Sequence, residues 1–262
     1  MVSSSDRLEI KDFLEEKYRQ YASKSFIDDD PIQIPHRFHN SHDIEISGLL
    51  TATLAWGNRS TIICSTNNLM NRMDNSPFEF VTNFSKNDYK YLNGFVHRTF
   101  DSKDCIEYIR VLRSIYLDGP GLKNMFIEGF RKTGTIKSAI TEFRNCFVRF
   151  PVNKNVLIHV PDVESGSAAK RINMFLRWMV RSSKEGIDFG IWNEIPLPSL
   201  MVPLDTHSGR VARSLGLLSR KRDDWKAVEE LKKSLQEFDH NDPVKYDFAL
   251  FGLGVYEKFG YK

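Results

Sequence analysis

Apolar residues recur along most of the chain at intervals of three and four, and alternating strand patterns are scarce. That period predicts helices almost throughout, and hence an all-α (mainly α) fold class. After Ser5, Leu8, Ile10, Phe13, Leu14, Tyr18 and Tyr21 keep roughly helical spacing. Residues 28–42 break the pattern with Asp28-Asp29-Asp30, two prolines and three histidines, and read as a loop. A helix from about Asp43 to Trp56 has a wide apolar surface (Ile44, Ile46, Leu49, Leu50, Leu54) and stops at Gly57. Another is predicted from about Ser60 to Met73, and Pro77 opens a further one. Ile106, Ile109, Leu112 and Ile115 predict a helix over 101–117, followed by helices over 121–131 and 135–148. Beyond the Pro151–Pro161 loop, Gly166-Ser167-Ala168-Ala169-Lys170 leads into Ile172, Phe175, Leu176 and Met179. Residues 182–204 are irregular, with a short helix expected near Phe189–Trp192. Helices over about 206–216, 223–237 and 243–257 close the chain, with Asp242-Pro243 reading as an N-cap and first-turn pair.

Composition narrows the class. At 262 residues, one large domain or two closely packed lobes are expected. With 41% hydrophobic and 27% charged residues, the chain is globular and not disordered. Cys64, Cys105 and Cys146 are scattered, which argues against a disulfide framework or a cysteine-rich metal site. Met1-Val2-Ser3-Ser4-Ser5-Asp6 has no apolar signal core, and no stretch approaches a membrane span, so a cytoplasmic protein without a membrane partner is expected.

Charge changes the picture only locally. The net charge of +3 excludes a polycation that binds nucleic acid by bulk charge. Residues 165–222, however, hold Lys170, Arg171, Arg177, Arg181, Lys184, Arg210, Arg213, Arg220, Lys221 and Arg222 against Glu185, Asp188, Glu194 and Asp205. The local excess is +6, and the rest of the chain sums to −3. Such asymmetry suits a protein that meets phosphates with one region.

That region contains the two segments able to carry chemistry. In Gly166-Ser167-Ala168-Ala169-Lys170-Arg171, small residues let the backbone approach a phosphate, and a helix start aims N–H groups outward. The positive helix end and Arg171 favour the nucleophilic neutral form of Lys170. The alternative is a solvated lysine on a helix turn. In Pro203-Leu204-Asp205-Thr206-His207-Ser208-Gly209-Arg210-Val211, Asp205 is either a plain N-cap or an ionised charge stabiliser. His36, His39 and His42 are spaced by three, but Pro35 and the loop setting favour a structural or DNA-facing loop over zinc binding. Phe189 and Trp192 are candidates to stack on a base if exposed, and to plug the 182–204 segment onto the body if buried. No phosphate-binding loop, dinucleotide fingerprint or nucleophile elbow is present, and no metal or cofactor is expected.

The two segments together resemble the helix-hairpin-helix DNA glycosylase superfamily, the endonuclease III-like enzymes. The hairpin L-P-G-V-G-R-K-T-A of those enzymes maps its glycines onto Gly166 and Ala168 and its lysine onto Lys170. Their V-D-T-H-x-x-R-V motif falls on Leu204-Asp205-Thr206-His207 and continues through Arg210-Val211. Leu49–Thr61 resembles the helix and turn that place a polar residue against DNA, here Asn58 and Arg59. Lys245-Tyr246-Asp247-Phe248-Ala249-Leu250-Phe251-Gly252 resembles the last helix of the fold. The chain is also similar to a family of bacterial proteins of unassigned function carrying P-L-D-T-H and K-Y-D-F-A-L-F-G-L-G. Glu164, Ser165 and Ala168 depart from the hairpin pattern, and 35 positions separate Lys170 from Asp205, which makes residues 182–204 an insertion.

The glycosylase resemblance implies a two-lobed helical unit, with a first lobe over about 43–150 and a second over 151–262 that packs with the N-terminal helix. It implies a monomeric DNA-repair enzyme acting on double-stranded DNA, with Lys170 as nucleophile and Asp205 as charge stabiliser. Gly166, Ser167, Arg171, Asn58, Arg59, His207 and Arg210 would contact DNA. A non-catalytic DNA- or RNA-binding protein on the same fold is the alternative.

Overall fold

The structure, a computed structural model, describes residues 4–182 and 184–261. Residues 1–3 of the N-terminal stretch, residue 183 of the 182–204 segment and residue 262 lie outside the described residues. The fold is mainly helical. The elements are α1 (Ser4–Tyr21), α2 (Ser25–Asp29), α3 (Ser41–Leu54), α4 (Arg59–Arg72), α5 (Pro77–Asn83) and α6 (Tyr89–Leu92). A two-stranded hairpin follows, β1 (Val96–His97) against β2 (Phe100–Asp101). Then come α7 (Ser102–Leu117), α8 (Gly121–Arg131), α9 (Ile136–Arg149), α10 (Lys170–Val180), α11 (Thr206–Ser214), α12 (Trp225–Gln236) and α13 (Tyr246–Val255). No described helix is long and apolar enough to cross a membrane.

The chain forms two compact units, one of residues 1–26 with 163–262 and one of residues 27–162. In the 27–162 unit, α3 is buried from Ile44 to Leu54, its apolar residues interleaved with buried Glu45, Ser47, Thr51 and Thr53. Phe126 of α8 stacks on Phe143 of α9 with ring centroids 5.3 Å apart. Gly129 permits this approach, since a methyl group there would lie 2.9 Å from the Cα of Ala139.

In the other unit, α1 packs along α13. Tyr18 and Phe26 meet Phe248, and Tyr21 stacks on Tyr256. Lys245, just before α13, pairs with Glu15 of α1 at 2.8 Å and with Asp239, which follows α12, at 2.7 Å. The packing leaves no room at Gly252, where a methyl group would fall 2.1 Å from Cδ2 of Tyr21. Gly252→Ala is therefore expected to displace α1 and cost about 1–3 kcal/mol. Urea denaturation measures this, and an unchanged midpoint would show that the Tyr21 ring swings clear at no cost.

Two local expectations need correction. Phe189–Trp192 is not a helix: Phe189 pairs with Ser182 in an isolated antiparallel bridge, and a turn of 3-10 helix follows later, at Leu197–Ser199. Trp192 is fully buried against Phe175, with centroids 5.3 Å apart, so it plugs the segment onto the body. Asp242 does stand at the N-cap of the 3-10 turn Pro243–Lys245, with Pro243 in its first turn, but its side chain makes no capping hydrogen bond. Its carboxylate turns to Arg181 instead, with Nε donating at 3.0 Å, because a guanidinium inside the fold is a stronger partner than a backbone N–H.

Candidate active site

The start of α10 is built by the small residues before it. Val163 to Gly166 form a turn closed by the Gly166 N–H donating to the Val163 carbonyl at 3.1 Å. Gly166 has φ +93°, a conformation that favours glycine. The element before this turn is a 3-10 helix, Lys154–His159, and not an α-helix. Trp225 donates its N–H to the Gly166 carbonyl at 3.0 Å, and Ser167 pairs with Asp224 in a short antiparallel bridge. The Ser167 hydroxyl accepts from the Ala169 N–H at 3.2 Å. Ala169 is left-handed at φ +51°, uncommon for a residue with a Cβ, and turns the chain into the helix. Lys170 is the first residue of α10 and is partly exposed.

Asp205 is the N-cap of α11. Its Oδ1 accepts from the backbone N–H groups of His207 and Ser208, both at 2.9 Å, while Ser208 Oγ accepts from the Asp205 N–H at 2.9 Å. This capping box commits one carboxylate oxygen to the helix. The other, Oδ2, lies 3.8 Å from Lys170 Nζ. The cap and the charge pairing are thus not alternatives: two oxygens perform the two tasks. The 3.8 Å separation is an ion-pair distance, longer than a hydrogen bond, so the amine is held near the carboxylate without being locked to it.

Beneath this pair lies a buried ionic cluster. Arg177 is 3% exposed and donates through Nε to Asp188 Oδ1 at 3.2 Å and through Nη1 to Asp247 Oδ2. Arg181 donates through Nη1 to Asp188 Oδ2 at 3.1 Å and through Nη2 to the Tyr18 hydroxyl at 2.8 Å, and its Nε reaches Asp242. Burial pushes the Asp247 carboxyl up to about 6, and the Asp205 charge adds to the rise; Arg177 and Lys170 pull the other way. Asp247 is therefore within electrostatic reach of both Lys170 and Asp205. Asn173, one turn beyond Lys170, is 1% exposed. Its Nδ2 donates to the Ala168 carbonyl at 3.1 Å, and its buried Oδ1 has no hydrogen-bond partner among the described residues.

The remaining expected residues are placed as follows. Arg210 and His207 are engaged by the C-terminal segment: the Arg210 guanidinium lies 3.7 Å from the Tyr261 ring centroid, and the Tyr261 hydroxyl is 2.6 Å from His207 Nδ1. Arg171 is half-buried. Asn58 and Arg59 belong to the 27–162 unit, where Asn58 is the N-cap of α4 and accepts from the Ser60 N–H at 2.9 Å. His42 stacks on Phe78 with centroids 4.6 Å apart, and among the described residues no group of three or more His, Cys, Asp or Glu could hold a metal ion.

The summed charge of the basic stretch overstates what it presents to solvent. Arg177 and Arg181 are buried in ion pairs, Arg213 pairs with Asp223 at 2.5 Å and Arg220 with Asp224 at 2.5 Å. With Lys170 beside Asp205, five of the ten cations of the stretch lie at ion-pair distance from carboxylates among the described residues.

The family model described as "Protein of unknown function (DUF2400)" matches residues 30–256. The chain belongs to that family. No curated protein and no solved structure matches the chain. The DUF2400 match takes in Lys170, Asp205 and the arginines and aspartates of the buried cluster beneath them, and ends before the Tyr261 segment.

Sequence reasoning missed Asp247, Asp188 and Asn173 as parts of this site. The one available signal was Asp247 itself, an acid within the otherwise apolar run Tyr246–Val255. An ionisable residue in such a helix demands a partner.

Proposed function

We propose that this chain is a DNA glycosylase with lyase activity, in which Lys170 is the nucleophile and Asp205 the charge stabiliser. The observation that carries the reading is the 3.8 Å approach of Lys170 Nζ to Asp205 Oδ2 across 35 positions of sequence, at the starts of two helices. Asp205 Oδ2 accepts a proton from the Lys170 ammonium and frees its lone pair. The amine attacks C1′ of a nucleotide flipped out of double-stranded DNA, and the N-glycosidic bond breaks with its electron pair leaving on the base, which takes up a proton. The C1′–O4′ bond then breaks with its electron pair staying on O4′, which takes up the proton lost from Nζ, and the nitrogen lone pair closes a Schiff base between C1′ and Nζ. Asp205 supplies the proton that the departing base takes up and, once a carboxylate again, stabilises the positive charge on the sugar and its new bond to nitrogen. Both reacting groups come from one chain, so a monomer suffices.

Borohydride trapping tests the proposal. Wild type is expected to form a covalent adduct on duplex DNA carrying an abasic site or an oxidised base, and Lys170→Ala none. Absence of an adduct on every lesion tried overturns the lyase reading, and trapping by Lys170→Ala equal to wild type overturns the assignment of the nucleophile. Salt-dependent DNA or RNA binding with no adduct and no base release would instead identify a non-catalytic nucleic-acid binder.

A further inference from the structure

Lys170, Asn173 and Arg177 stand at i, i+3 and i+7 and share one face of α10. Arg177 links that face to Asp247 in the first turn of α13. The buried cluster behind it has two guanidinium cations, Arg177 and Arg181, against three carboxylates, Asp188, Asp242 and Asp247. It therefore holds one negative charge in excess beneath the Lys170–Asp205 pair.

The three carboxylates are not equivalent. Asp188 is bridged by both guanidinium groups. Asp242 takes two hydrogen bonds from Arg181 Nε and keeps a side chain 20% exposed to solvent. Asp247 is buried and has a single guanidinium partner. The charged groups acting on it are Lys170 and Arg177 from α10, Asp188 from the segment after it, and Asp205 from α11. The cluster loses its excess charge most readily by protonation of Asp247.

We propose that Asp247, seated by Arg177, is a positioning residue whose charge governs how available the Lys170 amine is for reaction. When ionised, it leaves the cluster negative and retains the Lys170 proton. When protonated, it balances the cluster and the proton is released more easily. A substrate phosphate brought to the start of α10 adds negative charge and excludes water, and both effects favour the protonated form of Asp247. The proposal rests on the reading of Lys170 as the reacting amine, but its test does not need DNA.

The test is competitive acylation of the full chain with trace acetic anhydride, with modification of Lys170 read by mass spectrometry against exposed Lys221. In wild type, the Lys170-to-Lys221 ratio is expected to show an inflection near pH 6, where burial places Asp247. At pH 8 the ratio in Asp247→Asn should exceed that in wild type by about three- to tenfold, the effect of removing one nearby charge. Asp247→Glu should restore the wild-type ratio. A featureless wild-type ratio between pH 5 and 7, or an unchanged ratio in a folded Asp247→Asn chain, overturns the proposal. The wild-type profile decides alone if the variant does not fold. Failure of borohydride trapping with the acylation pattern intact would remove the glycosylase reading and leave this one standing.

Discussion

Replacing Arg177 by alanine is expected to destabilise the protein by about 3–5 kcal/mol, the range for breaking a buried ion pair from one side. Arg177 is enclosed, its guanidinium 4.3 Å from the Phe248 ring centroid and paired with Asp188 and Asp247. In its absence Asp188 keeps Arg181, whereas Asp247 loses its guanidinium and remains buried. The sign of the pH dependence follows. Burial already raises the Asp247 carboxyl to about 6 in the folded chain, above its ordinary value of 3.8, so ionisation of this group opposes folding. Losing Arg177 raises it further. The penalty should be largest above pH 7 and shrink as pH falls through the folded-state value and Asp247 takes up a proton. Urea denaturation of wild type and Arg177→Ala at pH 8 and pH 5 measures both effects. A stability difference that is small, or that grows on acidification, would show that Asp247 is better solvated than its burial implies. Removing both partners, as Arg177→Met with Asp247→Leu, should recover much of the loss, because the buried carboxylate that loses its guanidinium is removed with it.

The same cluster explains what could be read from the sequence and what could not. The helices were legible because burial imposes a period: Ile109, Leu112 and Ile115 of α7 are all buried, as their spacing predicts. The hairpin over Val96–Asp101 was not, since two residues per strand are too few to display alternation. Lys170 and Asp205 could be singled out because each stands in a distinctive local string at a helix start. Their approach could not, because it depends on how α10 and α11 dock. Arg177 and Arg181 misled the charge reading for a related reason. Charge summed along the sequence counts a guanidinium identically whether it faces solvent or a carboxylate, and the partners of Arg177 and Arg181 include Asp247 and Asp242, about sixty to seventy positions away.

Two substitutions at Asp205 are expected to separate its two tasks. Asparagine keeps an Oδ1 that can accept from the His207 and Ser208 N–H groups, so Asp205→Asn should hold α11 with a loss below about 0.5 kcal/mol, Asn and Asp being comparable N-caps. What it removes is the charge facing Lys170. If Asp205 Oδ2 accepts the lysine proton and stabilises the sugar cation, adduct formation should fall by about two to three orders of magnitude, the usual loss when one electrostatic stabiliser is deleted. Asp205→Ala removes the cap as well and should cost a further 0.5–2 kcal/mol or so of stability. Thermal denaturation and borohydride trapping on the same two variants therefore give different orders. Stability should rank wild type near Asp205→Asn and above Asp205→Ala, whereas trapping should rank both variants together and far below wild type. If trapping instead follows stability, with Asp205→Asn close to wild type, then the carboxylate serves the helix alone and Lys170 must lose its proton to another group. Asp247, a buried carboxylate in electrostatic reach of the amine, would be the first to replace.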